Sequence, residues 1–393
     1  MSGRSGAALA VGATALLGSW LFGSVALAPV GIGIVAAALG ARAWRRAASS
    51  SQHLERRTSA SRLVEGDTLR VELRLSGGLS RFARIVARER VGQLGAVDVP
   101  LLRGRGELTW ESVPRGLHEL GPAEVVLEDP LGLERISITA PSSARVIVHP
   151  RTVALEALFT DGGRSGFGGR RPALRRPSGV DLHSVRDYQH GEPLRLVHWP
   201  TTARRGALSV RELEDTPRAG TVVVLDCDPE GVAGPPGRSS FDEAVRATAS
   251  IVQARAARAR AVTLVVASAA DPVLRVRGLD GSYASALDVL AAAVPTGPAL
   301  ASTLSDPRLG AARAAELVVV TCNPLTPALD RLQEARGGAV VAIDGPTYAG
   351  ASQSAALTGL LRLAAGGVPV AIVRAGDDLE AALSGLSKGQ RSA

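Results

Sequence analysis

Apolar residues dominate the start of the chain: between Arg4 and Arg42 no residue carries a charge. As one helix this stretch would measure about 55 Å, nearly twice the roughly 30 Å hydrocarbon core of a bilayer, so it must turn back on itself. Ala28-Pro29 is the natural break. The pattern predicts spans at Ala8–Leu27 and Val30–Trp44, a transmembrane helical hairpin within residues 1–46 that ends on Trp44, Arg45 and Arg46 at an interface. Arg4, the apolar run and Ala26-Leu27-Ala28 also meet the requirements of a secretory signal, in which case the second stretch would remain as the anchor. The arginines that follow it predict a cell-membrane protein whose soluble domains are cytoplasmic.

Beyond the hairpin the period changes twice. Thr68–Leu75 alternates polar and apolar strictly, as a half-buried strand must. Similar runs at Arg84–Arg90, Glu107–Ser112, Ala123–Leu127, Glu134–Thr139 and Ala144–Val148 predict a small all-β sandwich of about six strands in residues 60–150. Residues 151–180, rich in Gly, Arg and Pro, read as a linker, and 181–215 as an arm preceding the last domain. From 216 to 393, short apolar strands alternate with amphipathic helices: Thr221–Asp228, Ala261–Ser268, Glu316–Asn323, Ala339–Asp344 and Val368–Arg374 are the strands, with Val273–Arg277 a short edge strand. Helices are expected at Phe241–Arg258, Tyr283–Val294, Pro327–Ala335, Ser352–Ala365 and Asp378–Leu386. Strands buried on both faces and alternating with helices predict an α/β, doubly wound, mainly parallel sheet, with its sites at the strand carboxyl ends.

Composition narrows the function. The net charge is +8 and the pI about 10.6, but residues 42–62 and 164–176 hold more than all of that excess as arginines. No aromatic-studded basic groove accompanies them, so nucleic acid is not an expected partner. Two cysteines in 393 residues fit a reducing compartment without a disulfide framework.

The arm is the most chemically crowded segment. His183, His190 and His198 stand among Asp181, Asp187 and Glu192, yet their spacing fits neither one helical face nor the close pairs of zinc sites. Ser184 with a histidine and an aspartate could form a nucleophilic triad on paper, but no GxSxG elbow supports it. The remaining reading is a structural arm of paired arginines and carboxylates, anchored by burial of Tyr188 and Trp199.

These residues carry a resemblance. Arg186, Asp187 and Tyr188, then Gly191, Glu192 and Arg195, then His198-Trp199, Ala203-Arg204 and the run through Arg211-Glu212 resemble the signature of the domain-of-unknown-function 58 family, in which an R-x-Y-x-x-G-D-x-x-R-x-I-x-W-x-x-x-A-R pattern precedes a strand ending in aspartate. Upstream, Arg115–Pro122 and Asp129–Leu133 resemble that family's R-G-x-Y-x-L-G-P and D-P-F-G-L. Glu192 stands where Asp is usual, Pro193 follows it, and Leu117 and His118 replace the more typical aromatic.

The resemblance implies a membrane-anchored protein with a von Willebrand factor A-like domain, associated with a MoxR-type AAA+ ATPase and a transglutaminase-like membrane protein. It also implies that the signature residues Arg186 to Glu212 bind a partner or brace the fold. Domains of that kind often hold a divalent cation through D-x-S-x-S after the first strand; the corresponding residues here are Asp226, Cys227, Asp228, Pro229 and Glu230, without the serines. Asp226, Asp228 and Glu230 are therefore the candidate ligands for Mg²⁺ or Ca²⁺, with a structural role in the loop as the alternative. In such a sheet Thr221–Asp228 lies beside Glu316–Asn323, which would make Cys227 and Cys322 near neighbours. The resulting expectation is a non-catalytic membrane-tethered adaptor. The rivals are a divalent-cation-dependent hydrolase using the same acids and a periplasmic binding module, which would require the arginines after Trp44 to lie outside.

Overall fold

The computed structural model describes residues 3–48, 52–77, 83–160, 182–187, 199–213, 220–258, 260–306, 316–333, 337–351 and 357–385. They form two compact units, residues 1–149 and 150–393.

The first unit opens with two helices, α1 (Gly3–Phe22) and α2 (Leu27–Ala48), each long and apolar enough to cross a membrane. The turn between them falls at residues 23–26, not at Ala28-Pro29 as the sequence suggests. Pro29 sits instead in the first turn of α2, where its missing N–H would have had no helical partner. Gly12 and Gly31 let the helices approach: a Cβ on Gly12 would lie 3.2 Å from the Gly31 carbonyl oxygen, and one on Gly31 would press into Leu16.

Strands follow: β1 (His53–Thr58), β2 (Arg62–Val64), β3 (Leu69–Ser76), β4 (Arg84–Val91), β5 (Gly95–Leu101), β6 (Arg105–Trp110), β7 (Gly116–Leu120), β8 (Ala123–Glu128), β9 (Arg135–Ala140) and β10 (Ala144–His149). One sheet has the order β1-β3-β6; the other runs β2-β10-β7-β4-β8-β9 with β5 paired to β4. The alternation in β3 points Leu69, Val71, Leu73 and Leu75 inward, where they join Ile85, Val125, Leu127 and Val146 of the second sheet in one core. Six strands fall where the alternation places them; β1, β2, β5 and β7 are additional. Inside this unit Arg56 and Glu89, both almost fully buried, form an ion pair at 2.8 Å. Where α2 ends, Trp44 packs on this core, and the buried Glu134 carboxylate meets Arg45 at 3.3 Å and the Ser5 hydroxyl.

The second unit begins earlier than the sequence suggests. Of the expected linker 151–180, residues 151–160 are part of the core: Leu155, Leu158 and Phe159 are buried, the Phe159 N–H donates to the Leu383 carbonyl, and the Val153 N–H donates to Ser250 Oγ. Apolar side chains outweigh the segment's lack of regular structure. Residues 161–181 lie outside the described residues.

Then come β11 (Leu182–Asp187), α3 (Trp199–Arg205), β12 (Ser209–Leu213), β13 (Thr221–Leu225), α4 (Ser240–Ala257), β14 (Val262–Val266), β15 (Val273–Val276), α5 (Gly281–Ala292), α6 (Leu300–Leu304), β16 (Glu316–Thr321), β17 (Gly338–Ile343), α7 (Gly345–Tyr348), α8 (Leu357–Ala365), β18 (Val370–Val373) and α9 (Leu379–Ser384). Pro327–Gln333, expected as an α-helix, is a 3₁₀ helix. The sheet order is β15-β14-β13-β16-β17-β18, parallel except for the antiparallel edge strand β15. β13 and β17 are buried at every position, which is why their sequences read as unbroken apolar runs. Helix α4 starts with a capping box in which Ser239 and Asp242 satisfy each other's backbone N–H groups.

Candidate functional site

The order of the sheet reverses at β13: the chain builds outward to β15 on one side, then returns to lay β16, β17 and β18 on the other. Ligands of doubly wound sheets bind at that reversal, outside the carboxyl ends of the strands. The residues gathered there are Asp226 after β13, Thr321 ending β16 and Asp344 after β17.

Asp226 is buried and each of its carboxylate oxygens accepts a hydrogen bond. The Thr321 hydroxyl donates to Oδ2 at 2.7 Å and the Asp228 N–H to Oδ1 at 3.1 Å. Thr321 Oγ1 in turn accepts the Asn323 N–H at 2.9 Å. Burial raises the Asp226 carboxyl above its ordinary value, opposed by the Thr321 hydroxyl and the Asp228 N–H, while the neighbouring Asp228 charge adds to the rise. Asp228 turns into its own loop and accepts the Glu230 N–H at 2.9 Å, and Glu230 faces solvent. Among the described residues no group of three His, Cys, Asp or Glu side chains is placed to hold a metal ion. The acids that the spacing offered as ligands stand in sequence order along a turn and do not converge.

The turn after β13 also covers the crevice. Gly231, at φ +82°, lies so close to Cys322 that a Cβ would collide with its carbonyl oxygen, and Gly345 lies equally close to the Gly231 carbonyl. The Ala233 N–H donates to the buried Ser240 hydroxyl at 2.9 Å, pinning the loop to the start of α4. The next strand end carries a different feature: Asp344 is buried, with Oδ2 3.6 Å from Arg374 Nε and Oδ1 without a hydrogen-bond partner.

The two cysteines lie just past the ends of adjacent parallel strands. The β13–β16 register ends on the pair Leu225 and Val320, and each cysteine follows that pair by two residues. Both are buried free thiols; burial raises Cys227 and pushes Cys322 up to about 12. A thiol so held is protonated at neutral pH and unreactive. Native protein should therefore resist a thiol-specific reagent that labels both cysteines on unfolding, and rapid labelling of either in the native state would contradict this geometry.

The arm is partly described. β11 and β12 pair antiparallel, with Arg186 opposite Val210, Val185 opposite Arg211 and Ser184 opposite Glu212. Tyr188, Gly191, Glu192, Arg195 and His198 lie outside the described residues, as does His190. Ala203 and Arg204 are exposed on α3. Trp199 is 62 % exposed, which corrects the expectation that burial of this residue anchors the arm. At the first position of a seven-residue helix its indole projects away from any core.

Residues 184–344 match the model of the family described as protein of unknown function DUF58. The chain carries a DUF58 segment. No curated protein matches the chain. The DUF58 segment begins in β11 of the arm and ends on Asp344, so it takes in the hairpin β11–β12, the reversal at β13 and all three polar strand ends described above.

The raised carboxyl of Asp226 fixes the sign of a pH effect. The folded chain holds this proton more tightly than the unfolded chain does, so the contribution of Asp226 to stability is greatest below its unfolded value and falls as pH rises through its folded value. Asp226→Asn removes that loss. The melting temperature of the variant relative to the parent should rise between about pH 4 and pH 7; a difference that falls over this interval would show that the charged carboxylate is stabilised instead.

Proposed function

We propose that the chain is a membrane-anchored, non-catalytic adaptor whose DUF58 segment belongs to a von Willebrand factor A-like domain that presents a surface to protein partners. The sheet order with one antiparallel edge strand supports that fold, and two opposed sheets around one core support a β-sandwich for residues 53–149. The observation that supports the adaptor reading is the state of Asp226: at the reversal point, where a hydrolase would aim an acid at substrate or cation, both carboxylate oxygens accept hydrogen bonds from inside the protein and the following loop lies against the strand ends. The exposed Trp199 and Arg204 favour the arm as the contact surface, since exposed tryptophan and arginine are common anchors of interfaces. The family resemblance directs the partnership to a MoxR-type AAA+ ATPase, with a transglutaminase-like membrane protein beside it.

Crosslinked affinity purification of the full chain from native membranes under nucleotide-trapping conditions tests this. Recovery of an ATPase subunit, lost on Trp199→Ala without a change in melting temperature, is the expected result. Recovery of none would overturn the partner assignment. Saturable binding of Mg²⁺ or Ca²⁺, abolished by Asp226→Asn, would favour the hydrolase reading.

A further inference from the structure

The outer face of the three-stranded sheet carries six exposed charges whose arrangement is set by the register. Arg57 of β1 stands opposite Glu72 of β3, which stands opposite Glu107 of β6. Two residues along, Glu55 stands opposite Arg74, and Arg74 opposite Arg105. The first row reads plus, minus, minus; the second reads minus, plus, plus. Each position in one row has the opposite charge at the same position in the other. Among the described residues none of the six takes part in an ion pair or side-chain hydrogen bond, although like charges sit opposite one another between β3 and β6. They border an open hollow of about 430 Å³.

An unpaired pattern that is its own inverse has a specific complement. Rotation by 180° about an axis lying along the face, perpendicular to the strands and midway between the rows, sets a second copy of this sheet on the first with the rows exchanged. Arg57 then faces Glu55 of the second copy, Glu72 faces Arg74, and Glu107 faces Arg105, each contact made twice by symmetry. The flanking positions set no like charges together: Arg70 meets Ser76 and His53 meets Ser59. We propose that this face is an isologous docking surface for a second copy of the chain, independent of what the DUF58 segment binds. Aligned face-to-face packing of sheets allows this approach. The face is three strands wide and charged, so the association is weak and salt-sensitive.

The experiment uses the full chain in lipid vesicles at low protein-to-lipid ratio, fused after Ala393 to a donor or an acceptor fluorescent protein. Parent chains should show energy transfer above a non-associating membrane reference, and about 0.5 M NaCl should reduce it by screening. Glu72→Arg alone and Arg74→Glu alone should each weaken association by about tenfold or more, because each places like charges together twice. Mixing the two variants should restore transfer, since Arg at 72 of one copy then meets Glu at 74 of the other, and the remaining native Glu72 and Arg74 meet likewise. Parent transfer equal to the reference, single variants that associate like the parent, or a mixture of folded variants that stays dissociated would each overturn the proposal. If either reversal lowers the melting temperature, Glu72→Gln and Arg74→Gln take their place: weakened transfer by each supports the surface, and unchanged transfer overturns it.

Discussion

Glu316→Ala should destabilise the second unit by about 3–5 kcal/mol, the cost of breaking a buried ion pair by removing one partner. Arg255 is fully buried on α4, and its guanidinium donates at 2.8 Å both to Glu316 Oε1 at the start of β16 and to Thr160 Oγ1 in the segment that precedes the arm. Thr221 Oγ1, at the start of β13, donates to the other Glu316 oxygen at 2.9 Å. One carboxylate thus ties a helix and two strands, and through Arg255 also reaches residue 160. A unit of this size loses roughly 2–4 °C per kcal/mol, so the melting temperature should fall by about 10 °C. Replacing both partners by apolar residues, Arg255→Met with Glu316→Leu, should recover most of the loss, because the cost arises from removing one side of a buried pair and not from absence of the pair. A loss under about 1 kcal/mol for Glu316→Ala would show that water reaches the guanidinium.

Removing residues 1–48 should move the protein from the membrane fraction to the soluble fraction. The two helices supply the long apolar stretches, and α2 closes with Arg45 and Arg46 in its last turn. The full chain should resist extraction by alkaline carbonate, and the shortened chain should not need extraction. Because arginines follow the second span, a reporter fused after Ala393 should be cytoplasmic. A shortened chain that still sediments with membranes, or alkaline phosphatase activity from the fusion, would contradict the anchor or its orientation respectively. The shortened chain also lacks Trp44, Arg45 and Ser5, so Glu134→Gln is a suitable companion change that avoids leaving a buried carboxylate without them.

Most of the second unit is legible in the sequence because a parallel sheet covered on both faces demands continuous apolar strands; TVVVL and GAVVAI have no other easy home. The first unit is less so. β1 reads HLERRT, with Leu54 as its one aliphatic residue, and is a strand because β3 lies beside it. β5 contains Pro100, tolerated on a strand that pairs only with β4 in its sheet, and β7 buries His118, whose Nε2 lies 2.8 Å from the Pro114 carbonyl. At the candidate site the placement of β13 beside β16, with Cys227 and Cys322 just past their ends, follows from chain alternation and the resemblance. The covering of the crevice does not: it depends on Gly231 meeting Cys322 and Gly345, contacts across about ninety and more residues that no local pattern records. The exposure of Trp199 is illegible for a related reason, since a large aromatic beside arginines has the same sequence appearance whether it plugs a core or stands exposed.

The adaptor account rests on Asp226 being spent inside the fold. Calorimetric titration of the full chain in detergent with Mg²⁺ and then Ca²⁺, repeated with Asp226→Asn, tests this most directly. The account predicts no saturable heat from either chain at neutral pH; tight binding by the parent that Asp226→Asn abolishes would contradict it.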